Sequence, residues 1–135
     1  MKRIGIGVSD FKKIIEEEFY YFDKTKFIEE IIQDGAEVKL FIRPRRFGKT
    51  LNISMLKYFF DVEKKEENKK LFKDLYIEKT DSFKEQGQYP VIFLSLKDLK
   101  ATTWEEMEKD IKSTIASLFL EYEDLYYELG EFDKP

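Results

Sequence analysis

Two residue types are missing from this 135-residue chain altogether: it has no cysteine and no histidine. The first absence excludes a disulfide framework, thiolate-bound zinc, a thiol nucleophile and an iron–sulfur cluster. The second excludes Ser-His-Asp and Cys-His catalysis, imidazole-bound metals and a histidine pH switch. Proline is scarce at 3 residues and glycine at 6, so each of these marks a backbone event with local meaning. No run approaches the roughly 18 apolar residues of a membrane span. The basic start Met1-Lys2-Arg3 is followed by Ile4–Val8, too short and too glycine-broken for a signal core. A cytoplasmic location is the default expectation.

What is present is charge and aromatic surface. Charged residues make up 39% of the chain, but 24 Lys+Arg and 28 Asp+Glu leave a formal net charge of only −4. A globally basic nucleic-acid binder is not expected from that balance, although a local basic patch is compatible with it. With 13 Phe and 8 Tyr there is enough apolar surface for a core, and a length in the range of about 100–200 residues favours one domain, residues 1–135. The chemistry left to such a chain rests on carboxylates, Lys, Arg, hydroxyls and backbone amides. Those groups handle phosphate and Mg²⁺.

Residues 1–8 read as an extended or irregular lead-in. Ser9 can cap a helix through Phe11, Ile14, Ile15 and Phe19, and Asp23 suits the N-cap of a second helix carrying Phe27, Ile28, Ile31 and Ile32 up to about Gly35. Val38–Ile42 and Tyr89–Leu96, the latter nearly continuous in apolar residues from Val91, are rich in β-formers and are expected to be strands. From about Lys49 a helix presents Leu51, Met55, Leu56 and Phe59 on one face. Residues 61–70 read as a solvated surface, Leu71, Phe72 and Leu75 return to the core, and Thr80–Gln88 reads as a polar loop. Thr102 or Thr103, with Glu105 or Glu106 completing a capping box, starts a long helix whose apolar stripe runs to Leu129, with Gly130 as its stop. That stripe suits packing on a sheet or a partner surface.

One constellation carries chemistry. A strand, the loop Arg43-Pro44-Arg45-Arg46-Phe47-Gly48, then Lys49-Thr50 opening a helix is the layout of a phosphate-binding loop, G-x-x-x-x-G-K-[ST]. Glycine lets the backbone approach phosphates, and free amides at the helix start receive anions. Lys49 can neutralise the β/γ phosphates, and the Thr50 hydroxyl can ligate Mg²⁺. Arg43 stands where the general motif has its first glycine and cannot freely take a positive φ, while Pro44 removes one amide. In return Arg43, Arg45, Arg46 and Lys49 are the densest positive cluster of an acidic chain. A basic turn with a chance Gly-Lys-Thr, or a nucleic-acid backbone contact through the arginines, remains open at this level.

The run Phe41–Leu56 closely resembles the AAA-ATPase-like proteins of bacteria, whose loop reads R-P-R-R-F-G-K-[ST]. Tyr21-Phe22-Asp23-Lys24-Thr25 and Tyr89–Lys97 resemble two further blocks of that family. The resemblance implies Mg²⁺-ATP bound in a partial, AAA-like α/β P-loop fold, a parallel sheet flanked by helices. The binding groups implied are Arg45, Arg46, Phe47, Gly48, Lys49 and Thr50, with Thr50 also the metal ligand.

It also implies an often-fused nuclease-like domain of the PD-(D/E)xK type, which has no counterpart within residues 1–135. The strand bearing the second ATPase motif, Walker B, belongs after the long helix, so a fragment truncated before that strand is expected. No catalytic residue is assigned, and little or no hydrolysis is expected from this chain alone. Asp98 is the nearest candidate for a metal carboxylate, against a loop or helix-cap role. Asp23-Lys24-Thr25 is either near the adenine or sugar, or simply a helix cap. Nucleotide is the expected partner and nucleic acid a possible one for the full-length protein. An inactive interaction fragment docking through the long helix is a further alternative, and oligomeric state is not legible.

Overall fold

A computed structural model describes residues 3–97 and 99–123. The chain divides into two compact units, Met1–Val91 and Ile92–Pro135. Among the described residues no helix is long and apolar enough to cross a membrane.

The first unit is helical. Helix α1 spans Phe11–Glu16, α2 Lys26–Gln33, α3 Lys49–Phe60 and α4 Lys65–Lys69, followed by three short 3₁₀ turns at Lys70–Phe72, Tyr76–Lys79 and Asp81–Glu85. The cap of α1 is Asp10, one residue beyond the expected Ser9, and its carboxylate accepts from the Lys13 amide at 2.8 Å. Its core is aromatic. Phe11 stacks on Phe72 with centroids 5.1 Å apart, and Phe59 meets Phe72 edge-on at 5.2 Å. Ile28, Met55, Leu71 and Ile77 complete the buried cluster. Edge-on and offset rings of this kind add about 0.5–1.5 kcal/mol per pair beyond area burial.

Two polar ties fix α1 against α3. Ser54, buried in the middle of α3, accepts from the Phe11 amide at 2.9 Å and donates to the Leu51 carbonyl at 2.9 Å. The amide it satisfies belongs to the first turn of α1, where no intrahelical partner exists. Tyr58 donates to the second oxygen of Asp10 at 3.0 Å. Partial burial, then that bond to a carboxylate, pushes the Tyr58 hydroxyl up to about 12.

The expected α/β sheet is not present: among the described residues there is no strand. Val38, Leu40 and Ile42 lie outside any regular element and are 85%, 81% and 81% exposed. β-propensity expresses fit to a pleated, half-buried surface, and without a neighbouring ladder these β-formers have nothing to pair with. Val91–Leu96 is likewise outside any strand. Among the described residues, parallel pairing occurs only as an isolated bridge between Tyr89, where the second strand is expected to begin, and Asp61, where none is expected. There the Tyr89 amide donates to the Phe60 carbonyl at 3.0 Å and the Val62 amide to the Tyr89 carbonyl at 2.9 Å. The segment expected as a polar loop instead holds the 3₁₀ turn Asp81–Glu85 and a buried Gln86.

In the second unit, α5 spans Trp104–Glu121. Its capping box forms as expected in kind: Thr103 accepts from the Glu106 amide at 3.3 Å, while the Glu106 carboxylate accepts from the Thr102 amide and hydroxyl, each at 3.2 Å. Trp104 and Phe119 are exposed on it. The stripe positions Leu125, Tyr126 and Leu129, the Gly130 stop and Asp98 lie outside the described residues.

Gly87 follows that last 3₁₀ turn with φ +63°, its amide donating to the Phe59 carbonyl at 2.8 Å, and a Cβ there would lie 2.5 Å from Lys65 Cγ. Gly87→Ala is therefore expected to lower unfolding stability by at least about 1 kcal/mol, the cost of left-handed backbone for an L-residue. Gly35→Ala, where an added Cβ meets nothing within 4 Å and φ is not positive, is expected to be neutral or stabilising. Urea denaturation of both variants checks the contrast; equal effects would contradict it.

Candidate functional site

The loop at residues 43–48 runs directly into α3, so the helix that carries the core also fixes the loop's exit. Two residues take left-handed backbone, Arg46 at φ +68° and Gly48 at φ +73°. Arg43 does not. The substitution of the motif's first glycine by Arg43 therefore creates no backbone strain; the strained non-glycine position is Arg46, at a cost of about 1–2 kcal/mol. An outlier held in this way belongs to a loop shaped by its surroundings rather than by its own preference. A Cβ on Gly48 would meet no atom within 4 Å, so space is open above the turn.

Lys49 reaches back over the loop. Its ammonium donates to the Arg43 carbonyl at 2.5 Å and the Pro44 carbonyl at 2.9 Å, closing the loop with its own lysine. Gly48 occupies the N-cap of α3 without a side-chain acceptor, and the first turn contains no acid. The amides that open α3 thus have neither intrahelical carbonyls nor a capping carboxylate, and the helix end keeps its partial positive charge.

Two clefts flank this loop. The larger, of 770 Å³, is walled by Arg45, Arg46, Gly48, Lys49, Thr50 and Leu51 on one side and by Ile6, Gly7, Val8 and Ser9 on the other. It brings three cations together and has no acidic residue in its lining. Five of the six residues expected as binding groups line it, and the sixth, Phe47, lines the smaller cleft of 410 Å³ beside Lys24, Arg43 and Lys49. The Ile6–Ser9 wall went unread in the sequence. Gly7, with φ +78°, was the available signal that the lead-in turns here.

A family profile described as "AAA-ATPase_like: Predicted AAA-ATPase" matches residues 5–133. The chain belongs to this family. A similar protein is the "Uncharacterized protein in vnfD 5'region" of Azotobacter chroococcum mcd 1, 36% identical over 95 residues. The match covers 70% of this chain and 17% of that protein, so the chain spans a small part of the relative's length. No solved structure matches the chain.

In this AAA-ATPase-like chain the Asp23-Lys24-Thr25 block is a scaffold joint. Thr25, not Asp23, holds the N-cap position of α2, and it makes no side-chain cap bond. Asp23 instead accepts from the Thr25 amide at 2.9 Å, the Thr25 hydroxyl at 2.7 Å and the Tyr76 amide at 2.7 Å. The buried Thr25 oxygen then accepts from the Ile77 amide at 3.1 Å. These bonds tie the start of α2 to the Tyr76–Lys79 turn. Lys24, between the two anchors, lines the smaller cleft.

Partial burial opposes the charge on Asp23, but the Thr25 and Tyr76 hydrogen bonds outweigh it and hold the carboxyl below its ordinary value. A depressed pKa contributes stability that is present above the unfolded value, about 3.9, and lost as pH falls through the folded one. Asp23→Ala is expected to cost about 1–3 kcal/mol at pH 7. Urea unfolding along a descending pH series should show the gap to wild type narrowing below about pH 4; a gap independent of pH would contradict the charge assignment.

Proposed function

We propose that this chain binds Mg²⁺-ATP in the larger cleft. The observation that carries this reading is the cleft's wall: an uncapped helix start at Gly48, three cations and no acid in the lining. A polyanion suits it, because the loop's charges and the α3 terminus act together over a short distance. Backbone amides of residues 46–50 receive phosphate oxygens, Lys49 neutralises the outer phosphates, and Arg45 and Arg46 add charge at the rim. Phe47 lies on the opposite side of the loop, in the lining of the smaller cleft. Preference for ATP over other nucleoside triphosphates rests on family membership, since these groups read phosphates and not bases.

Among the described residues no three carboxylates gather into a metal site. The donor set still fits Mg²⁺, which keeps several waters and takes ligands from substrate phosphates. Thr50 is the residue that would hold it, from an exposed position in the cleft wall. When bound, the ion supplies neutralisation of charge on the β/γ phosphates. Orienting a water for attack requires a carboxylate or equivalent group, and the cleft lining contributes none. The chain alone therefore binds nucleotide and hydrolyses little or none; in a longer protein the acid would come from elsewhere.

Calorimetric titration with Mg²⁺-ATP should give saturable binding that Lys49→Ala weakens at least tenfold, with circular dichroism showing both proteins folded. Thr50→Ala should reduce the Mg²⁺ dependence of that binding. Absence of binding by folded wild-type protein overturns the proposal. Steady phosphate release abolished by Lys49→Ala would overturn the claim of negligible turnover.

A further inference from the structure

The smaller cleft has a different chemistry from the one assigned to nucleotide phosphates. Three phenylalanine rings line it from separate segments: Phe27 on α2, Phe41 before the loop and Phe47 within it. Phe27 and Phe41 meet edge-on at 5.0 Å, while Phe41 and Phe47 are 42% and 62% exposed. Aromatic faces left open to water in this way cost hydration free energy that a stacked ligand would recover. Lys24, Arg43 and Lys49 stand beside the rings against a single carboxylate, Glu30, and Asn52 brings an amide that both donates and accepts.

Aromatic platform, flanking cations and a reading amide are the elements by which proteins hold an unstacked base and its backbone phosphate. The volume of 410 Å³ falls within the range of about 300–1,000 Å³ typical of ligand clefts. Lys49 is the residue common to both linings, while Lys24 and Arg43 line the smaller cleft and not the one beside Gly48–Thr50. We propose that this cleft binds a base of single-stranded nucleic acid, with Lys24 and Arg43 on the adjoining phosphates. The site adjoins the nucleotide cleft through Lys49, but its assignment does not rest on that one. With two phosphate contacts the salt dependence is shallow, a log–log slope of about −1.4 for a single strand.

The probe is a fluorescein-labelled 12-nucleotide oligothymidylate, followed by anisotropy at low salt with the full chain. Wild type should bind it and should bind a duplex of the same length at least fivefold more weakly. Phe41→Leu keeps an apolar side chain against Phe27 and should weaken oligonucleotide binding at least fivefold without changing the affinity for Mg²⁺-ATP. Lys24→Gln, at an exposed position, should lower affinity and reduce the salt slope by about 0.7, the loss of one single-strand phosphate contact. No binding by wild type, an equal preference for duplex, or full affinity in folded Phe41→Leu would each overturn the proposal. So would parallel loss of oligonucleotide and Mg²⁺-ATP binding in Phe41→Leu, which would make the cleft part of the nucleotide site.

Discussion

The packing of Phe11 against Phe72, and of Phe72 against Phe59, sets the position of α3, and α3 in turn sets the loop. The helix changes character along its length: its later turns contribute Met55 and Phe59 to the core, and its first residues are Lys49 and Thr50. Ser54 adds direction to that non-directional burial. By taking the Phe11 amide it fixes the register of α1 on α3, so the wall at Ile6–Ser9, just ahead of α1, stands opposite Gly48–Thr50. Core and cleft are two ends of one helix.

The electrostatics follow from that placement. An acidic chain concentrates Arg43, Arg45, Arg46 and Lys49 in one turn, and the α3 terminus adds a partial charge of the same sign. Like charges so close repel, and Arg46 also holds left-handed backbone. Such an arrangement is unfavourable for the empty loop and favourable once a polyanion is present. Lys49 relieves part of the mismatch by donating to the Arg43 and Pro44 carbonyls.

Much of this was legible in the residues. The start of α3, its buried face and the Thr103–Glu106 cap all follow from local rules of spacing and capping, and the family follows from the Phe41–Leu56 run; of the strand–loop–helix layout, the loop and helix are present and the strand is not. The sheet was misread for a physical reason. β-formers at Val38–Ile42 and Tyr89–Leu96 state a preference for a ladder, and a ladder is a tertiary fact that one segment cannot supply. Tyr89, the first residue of the second run, does pair, but with Asp61, which no strand pattern marked; the Phe59 and Phe60 carbonyls accept from the Gly87 and Tyr89 amides there. Asp23 was legible as a residue that binds amides, but the Tyr76 amide it binds lies far along the chain. The Ile6–Ser9 wall had no motif, because apolar and small residues carry shape and no chemical signature.

The most direct test of the account is an amide chemical-shift titration of the folded chain with Mg²⁺-ATP. The account predicts the largest shifts at residues 46–50, accompanied by shifts at Ile6–Ser9 across the cleft. Shifts absent from both segments, or confined to the Phe41 side of the loop, would contradict it.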